Sequence, residues 1–304
     1  MFTLASSLLI VATTVARPAQ PWVVDQCEVY HCESYAGELS YRLHVPSDER
    51  MSPRPLVIWL HGAGEAGSDN RRQLAWLELV WKTPSDAKLA PYYLLAVQRP
   101  ADAPSWFQVD GHLRDPLDQL DAVLEDVLGR HEIDGHRVYL AGVSQGASGA
   151  WAYAIRHPQR FAGMLLFGPP EAPTELPASL KRLPIWVFQS TGDGIEKLQR
   201  LQCVARKFSA LGGQMAVTAI PNDSHDCWTA ALNDYAAWSW LTAQQQDRWS
   251  PFAPGWPPRR VVIVTAWLFV GVMLTGLLGR RVLSSDSCGR CRLIHRERNG
   301  RRME

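Results

Sequence analysis

One pentad, Gly142-Val143-Ser144-Gln145-Gly146, constrains this chain more than any other segment. It follows the apolar run Arg137-Val138-Tyr139-Leu140-Ala141 and precedes a helix-forming stretch from Ala147 to His157. A serine raised on so tight a passage from strand to helix needs glycine on both sides, because a side chain there would meet the adjoining backbone. The order therefore predicts a buried strand, a sharp turn that exposes the Ser144 hydroxyl, and a helix. Glycine and serine are common, and such a pentad arises by accident in roughly one chain in ten of this length. The rest of the sequence has to decide.

Beyond the pentad, apolar runs alternate with longer periodic stretches, the pattern of a mainly parallel sheet with helices on both faces, an α/β fold. The strand expectations are Leu39 to Val45, Leu56 to Leu60, Tyr92 to Val97, Val138 to Ala141, Gly163 to Phe167, Ile185 to Phe188 and Ala216 to Ile220. Few polar residues interrupt them, as strands buried on both faces require. Leu117, Leu120, Leu124, Val127 and Leu128 recur at helical spacing between Asp115-Pro116 and Gly129. Two more helices are expected over Ile195 to Leu211 and His225 to Gln246. The proline-rich segment Pro169 to Leu183 is too short for a large lid, and no internal repeat is visible.

The two ends read differently. Residues 1–16 resemble a secretory leader, with an apolar run Leu4 to Val15 and small residues at Thr14-Val15-Ala16. No Lys or Arg precedes that run, so an uncleaved anchor or a buried first strand are the alternatives. Val261 to Gly279 is uncharged and flanked by Arg259-Arg260 and Arg280-Arg281. At about 1.5 Å per residue it nearly spans a ~30 Å hydrocarbon core, which predicts a transmembrane helix rather than a buried core helix. The arginines crowd into residues 280–304, so that tail is expected to be cytoplasmic and the domain over residues 17–250 extracytoplasmic, joined by a proline-rich spacer at 251–260.

Cysteine usage fits that topology. Cys27, Cys32, Cys203 and Cys227 fall where an oxidising compartment permits disulfides, in any of three pairings. Cys288 and Cys291, with His295 nearby, form a C-x-x-C read as plain reduced thiols, with half a zinc site or an acylation site as alternatives. A formal net charge of +1 gives no reason to expect nucleic acid as a partner.

A serine hydroxyl becomes a useful nucleophile when a neutral imidazole accepts its proton and a carboxylate fixes the tautomer of that imidazole. Asp193 follows the expected strand Ile185 to Phe188 through Gln189-Ser190-Thr191-Gly192, and His225 follows Ala216 to Ile220 through Pro221-Asn222-Asp223-Ser224. Serine, then acid, then base is the order this strand–turn–helix arrangement uses. Asp193 as a turn former and His225 as a helix cap are the plain structural readings. Asp223 and Asp226 are rival carboxylates, set too near His225 in sequence to reach its far nitrogen. Leu56 to Leu60 runs into His61-Gly62-Ala63-Gly64-Glu65, whose glycines let amides turn toward a developing oxyanion. The expected donors are the amides of Gln145 and of Ala63 or Gly62.

With these motifs in view, the chain resembles the phospholipase/carboxylesterase-like esterases also labelled predicted peptidases, relatives of polyhydroxybutyrate depolymerases and feruloyl esterases. The resemblance rests on His61 to Asn70, Gly142 to Gly146, Arg156-His157-Pro158, Phe161-Ala162 and His225-Asp226-Cys227-Trp228, over roughly residues 35–242. It implies an α/β-hydrolase with Ser144, Asp193 and His225 as catalytic triad and with no metal or organic cofactor. That group usually has a basic residue where Ala66 stands and a Gly-Gly pair where Gly146-Ala147 stands. The expected function is hydrolysis of small-molecule carboxylic esters by a membrane-anchored serine hydrolase. A serine peptidase and a catalytically silent binding domain are the rivals.

Overall fold

A strand that is apolar at every position has to be covered on both faces. The strand Arg54–Leu60 is buried at each residue, and its side chains divide with period two. Leu56, Ile58 and Leu60 pack into one hydrophobic cluster, while Val57 and Trp59 pack into the other. The same alternation separates Leu140 from Tyr139 and Ala141, and Leu166 from Leu165 and Phe167. One sheet with a core on each side is the result.

The computed structural model describes residues 18–34, 37–48, 53–107 and 115–246. The leader expected at 1–16, the spacer, the Val261 to Gly279 span and the C-terminal tail lie outside the described residues. Among the described residues no helix is long and apolar enough to cross a membrane.

The sheet contains β1 (Glu28–Ser34), β2 (Gly37–His44), β3 (Arg54–Leu60), β4 (Tyr93–Gln98), β5 (Ile133–Val143), β6 (Gly163–Phe167), β7 (Ile185–Ser190) and β8 (Met215–Ile220). Their order is β1-β2-β4-β3-β5-β6-β7-β8. β1 and β2 run antiparallel to their neighbours, and every pairing from β4 to β8 is parallel. On one face lie α3 (Pro116–Arg130), α4 (Gln145–Arg156) and α5 (Ile195–Ala210); on the other lie α1 (Pro21–Val24), α2 (Pro84–Leu89), α6 (Trp228–Asn233) and α7 (Tyr235–Thr242).

Each strand expected from the sequence is present, and β6 has the expected bounds. β5 begins earlier, at Ile133, through a register shift against β3 between Arg54 and Leu56. β1 was not expected. It pairs with β2 alone at the sheet margin, and an edge strand with Glu28, His31 and Glu33 in it lacks the apolar run that marks a central one. α3 starts as expected, with Asp115 accepting from the Leu117 amide at 2.9 Å and Pro116 in the first turn.

The single helix expected over His225 to Gln246 is a correction. α6 and α7 are separate, because Asp234 adopts an extended conformation and its carboxylate caps α7 by accepting from the Ala236 amide at 2.9 Å. His225 precedes both helices, on a loop. Arg156-His157-Pro158 also has a structural use. His157 and Arg160 reach Asp121 of α3 at 3.1 and 2.8 Å, and the Tyr153 hydroxyl donates to Asp121 at 2.7 Å. Burial alone would raise the Asp121 carboxyl, but these partners hold it below the usual carboxylate range. The network ties α3 to α4 and keeps the elbow helix in place.

Candidate active site

The parallel register sets the site. Leu60 is level with Gly142, Val143 with Phe167, and Ser190 with Ile220, so the loops after β3, β5, β7 and β8 open at one carboxyl edge. At the end of β5 the chain turns through Ser144, held at φ 51° and ψ −121°, one of two non-glycine residues with positive φ among the described residues. Such a conformation costs on the order of 1–3 kcal/mol and persists only when its surroundings enforce it. A Cβ on Gly142 would lie 2.5 Å from the Gly146 carbonyl oxygen, and one on Gly146 would collide with the Leu60 carbonyl. The two glycines therefore let α4 begin directly over β3 and β5.

The Ser144 hydroxyl lies 2.9 Å from His225 Nε2. On the other side of the ring, His225 Nδ1 lies 2.8 and 2.9 Å from the two carboxylate oxygens of Asp193. Asp193 is nearly buried, at 8% side-chain exposure, while His225 remains 27% exposed. A neutral His225 with its proton on Nδ1, facing Asp193, leaves the Nε2 lone pair toward Ser144, the tautomer that a proton acceptor needs. The sequence-predicted Ser144, Asp193 and His225 thus form one hydrogen-bonded series.

The loops that carry Asp193 and His225 are stitched together. Ser190 Oγ donates to the Ser224 carbonyl at 2.5 Å, Thr191 Oγ1 donates to the Asn222 carbonyl at 3.1 Å, and the Asn222 amide donates back to Thr191 Oγ1 at 3.1 Å. Gln189 Nε2 donates to Asp193 Oδ2 at 2.5 Å. In the sequence Gln189 gives one signal only, an amide at the end of a strand just before Asp193. The rival carboxylates are occupied elsewhere or exposed. Asp226 accepts from the Thr229 amide at 2.8 Å and hydroxyl at 2.6 Å, at the start of α6, and Asp223 is exposed.

His61 closes the other side. Burial pulls its pKa down to about 3, so the ring is neutral. Its Nδ1 donates to the Gly62 carbonyl at 2.6 Å and its Nε2 accepts from the Arg99 amide at 3.0 Å. Trp106 packs edge-on to the ring at 5.0 Å, and its indole donates to the His61 carbonyl at 3.0 Å. The 61–65 loop is thereby fixed against Ser144, whose Cβ is 3.4 Å from the point where a Gly62 Cβ would stand. Farther along this loop, Asn70 is buried and its amide nitrogen donates to the carbonyls of Tyr30 and Tyr41 at 3.2 and 3.1 Å. Neither the Gln145 amide nor the Ala63 amide donates to a backbone carbonyl among the described residues. The Gln145 side chain accepts from Arg99 Nη2 at 3.2 Å. Burial lowers the pKa of that guanidinium against the opposing charge of Asp102.

Trp59, Trp106 and Trp228 are all buried, and Trp228 alone of them stands edge-on to His225, at 5.2 Å. The expectation of disulfides among the outer cysteines is corrected. Cys27, Cys203 and Cys227 are free thiols, so no two of Cys27, Cys32, Cys203 and Cys227 are joined. Cys27 and Cys227 serve as small core residues, and burial pushes both thiols up to about 12.

Residues 39–169 match the family model described as Esterase PHB depolymerase, a span that includes Ser144 and ends before Asp193 and His225. Among solved structures, a thermostable esterase is 26% identical with a TM-score of 0.65, over 74% of this chain and 64% of that one. This chain therefore spans less than two thirds of that relative. A ferulic acid esterase superposes with a TM-score of 0.54 at 16% identity, over 71% of this chain and 98% of its own, a likeness of fold. A protein of Oryza sativa subsp. japonica named probable inactive carboxylesterase is 27% identical over 203 residues, 55% of this chain and 81% of its own. On its sheet, its elbow and these matches, the chain has the α/β-hydrolase fold, and its residues 39–169 are similar to the Esterase PHB depolymerase family.

Proposed function

We propose that this chain is a serine hydrolase that cleaves small-molecule carboxylic esters through an acyl-enzyme. The hydrogen-bonded series from Ser144 through His225 to Asp193 is the observation that carries the reading. Ser144 Oγ attacks the ester carbonyl carbon while His225 Nε2 takes its proton, and the carbonyl π pair moves to oxygen. The oxyanion rests on backbone amides of Gln145 and the 61–65 loop. Collapse breaks the bond to the alkoxy group, which leaves as an alcohol with the proton from His225. Water, deprotonated by His225, then attacks the acyl carbon and frees Ser144. Asp193 fixes the ring and stabilises the imidazolium in both halves.

The relative named inactive does not weigh against this reading, because Ser144, His225 and Asp193 are all present here and mutually bonded. Graded p-nitrophenyl esters assayed beside peptide p-nitroanilides, on full-length protein in detergent, test it. Ester kcat/KM should exceed the best amide value by about 10³-fold or more. Amide turnover equal to or above that of esters would make the chain a peptidase, and turnover of neither would leave the silent binding domain.

The proposal includes a membrane anchor at Val261 to Gly279 with the catalytic domain outside and the arginine-rich tail inside. Protease added to intact cells should then remove the catalytic domain and spare an epitope placed after Arg302. The opposite pattern would invert the topology.

A further inference from the structure

Glu65 ends the segment His61 to Glu65, and it is a buried carboxyl, at 5% exposure, beside the nucleophile. Its Oε2 lies 3.0 Å from the point where a Cβ on Gly62 would stand, and the Ser144 Cβ lies 3.4 Å from the same point. One glycine separates the two groups. The carboxyl takes hydrogen bonds from the Trp76 indole and from the amides of Glu65 itself and Gly62. Burial pushes its pKa up while these donors oppose the rise.

That arrangement uses up Gly62. Its amide goes to Glu65, and its carbonyl accepts from His61 Nδ1 at 2.6 Å. The next amide, that of Ala63, has no backbone acceptor among the described residues. The other partner of Glu65 leads to the catalytic base. Trp76 stands edge-on to Trp228 at 5.6 Å, and Trp228 stands edge-on to His225 at 5.2 Å.

We propose that Glu65 is a positioning residue for ester cleavage, which by holding the Gly62 amide and the Trp76 indole turns the amide of Ala63, and not that of Gly62, toward the oxyanion. The inference rests on the serine hydrolase reading of Ser144. Glu65 touches no reacting atom; it acts through the loop and through the tryptophan pair that backs His225. A developing oxyanion is sensitive to such placement, because a donor counts only when it is aimed at the position the oxygen will reach.

Two variants of the full-length protein test this. Ala63→Pro removes the one N–H in question and little else. Ala63 is the first residue of a short 3₁₀ turn, where proline is tolerated, and Gly62 at φ −75° and ψ −174° already has the extended conformation favoured before proline. Its kcat should fall by about 10²-fold or more, with KM within about threefold and an unchanged thermal transition. Glu65→Gln turns an amide NH₂ against N–H donors, and should lower kcat by about tenfold or more at similar KM. It should weaken inhibition by an aryl trifluoromethyl ketone, which forms an oxyanion on serine, by the same factor. A folded Ala63→Pro protein with wild-type kcat overturns the proposal, as does a folded Glu65→Gln protein changed only in KM. Ser144→Ala run in parallel separates the two levels. If it is inactive while both loop variants are fully active, only the role of Glu65 fails; if it is active, the hydrolase reading fails with it.

Discussion

Ser144→Ala is expected to lower kcat for p-nitrophenyl esters by about 10³-fold or more while the protein stays folded. The substitution deletes the hydroxyl oxygen that would bond to the acyl carbon. It removes little else, because among the described residues the one side-chain hydrogen bond of Ser144 is to His225. Alanine meets the same backbone strain at φ 51° as serine does, so the elbow should keep its shape. Circular dichroism and the thermal transition should match wild type. Near-wild-type turnover by the folded variant would show that ester cleavage takes another route.

Asp193→Asn should be nearly as damaging, with kcat lower by roughly 10³–10⁴-fold, through the wrong histidine tautomer. Gln189 Nε2 donates to Asp193 Oδ2 at 2.5 Å, so an asparagine there turns its carbonyl oxygen toward Gln189 and its NH₂ toward His225. His225 Nδ1 then becomes an acceptor and the ring proton moves to Nε2, facing Ser144. A ring in that form cannot take the serine proton. Asp223→Asn and Asp226→Asn should leave kcat within about threefold, since neither carboxylate meets the ring. Steady-state kinetics on the three variants decides the matter. An active Asp193→Asn protein beside an inactive Asp223→Asn protein would move the acid to the other carboxylate.

What was legible in the sequence follows from how strongly each element depends on local residue type. The central strands are apolar through Leu56 to Leu60 and Val138 to Ala141, so β3 and β5 announce themselves. The elbow needs glycine on both flanks of Ser144, because the Leu60 and Gly146 carbonyls occupy the space of any side chain. The edge strand β1 needs no such run. Its buried Tyr30 and Cys32 sit between more exposed neighbours, a pattern that reads as loop until β2 is known to lie beside it. The split between α6 and α7 turns on one backbone conformation at Asp234, which periodicity across the break conceals.

The site divides in the same way. Ser144, Asp193 and His225 were readable because chain order and loop position mark them. The supporting groups were not, because their roles exist only across long sequence separations. Ser190 and Thr191 meet Asn222 and Ser224 from the loop after β8. Glu65 appears in sequence as one charged residue of a glycine-rich turn; its burial beside Gly62 and Trp76 appears only in the folded loop after β3. Cys27 and Cys227 show the converse. Cysteine count and an expected oxidising compartment suggest disulfides, and the packing instead places each thiol in the core.

If Ser144 is a nucleophile activated by His225 and Asp193, it should react with a serine-directed phosphonylating probe. Treatment of the full-length protein with a fluorophosphonate, followed by peptide mass mapping, tests it most directly. One phosphonylated residue is expected, Ser144, with labelling slowed by an ester substrate, strongly reduced in Asp193→Asn and absent in Ser144→Ala. A folded wild-type protein that takes no label, or that takes it at a serine other than Ser144, would contradict it.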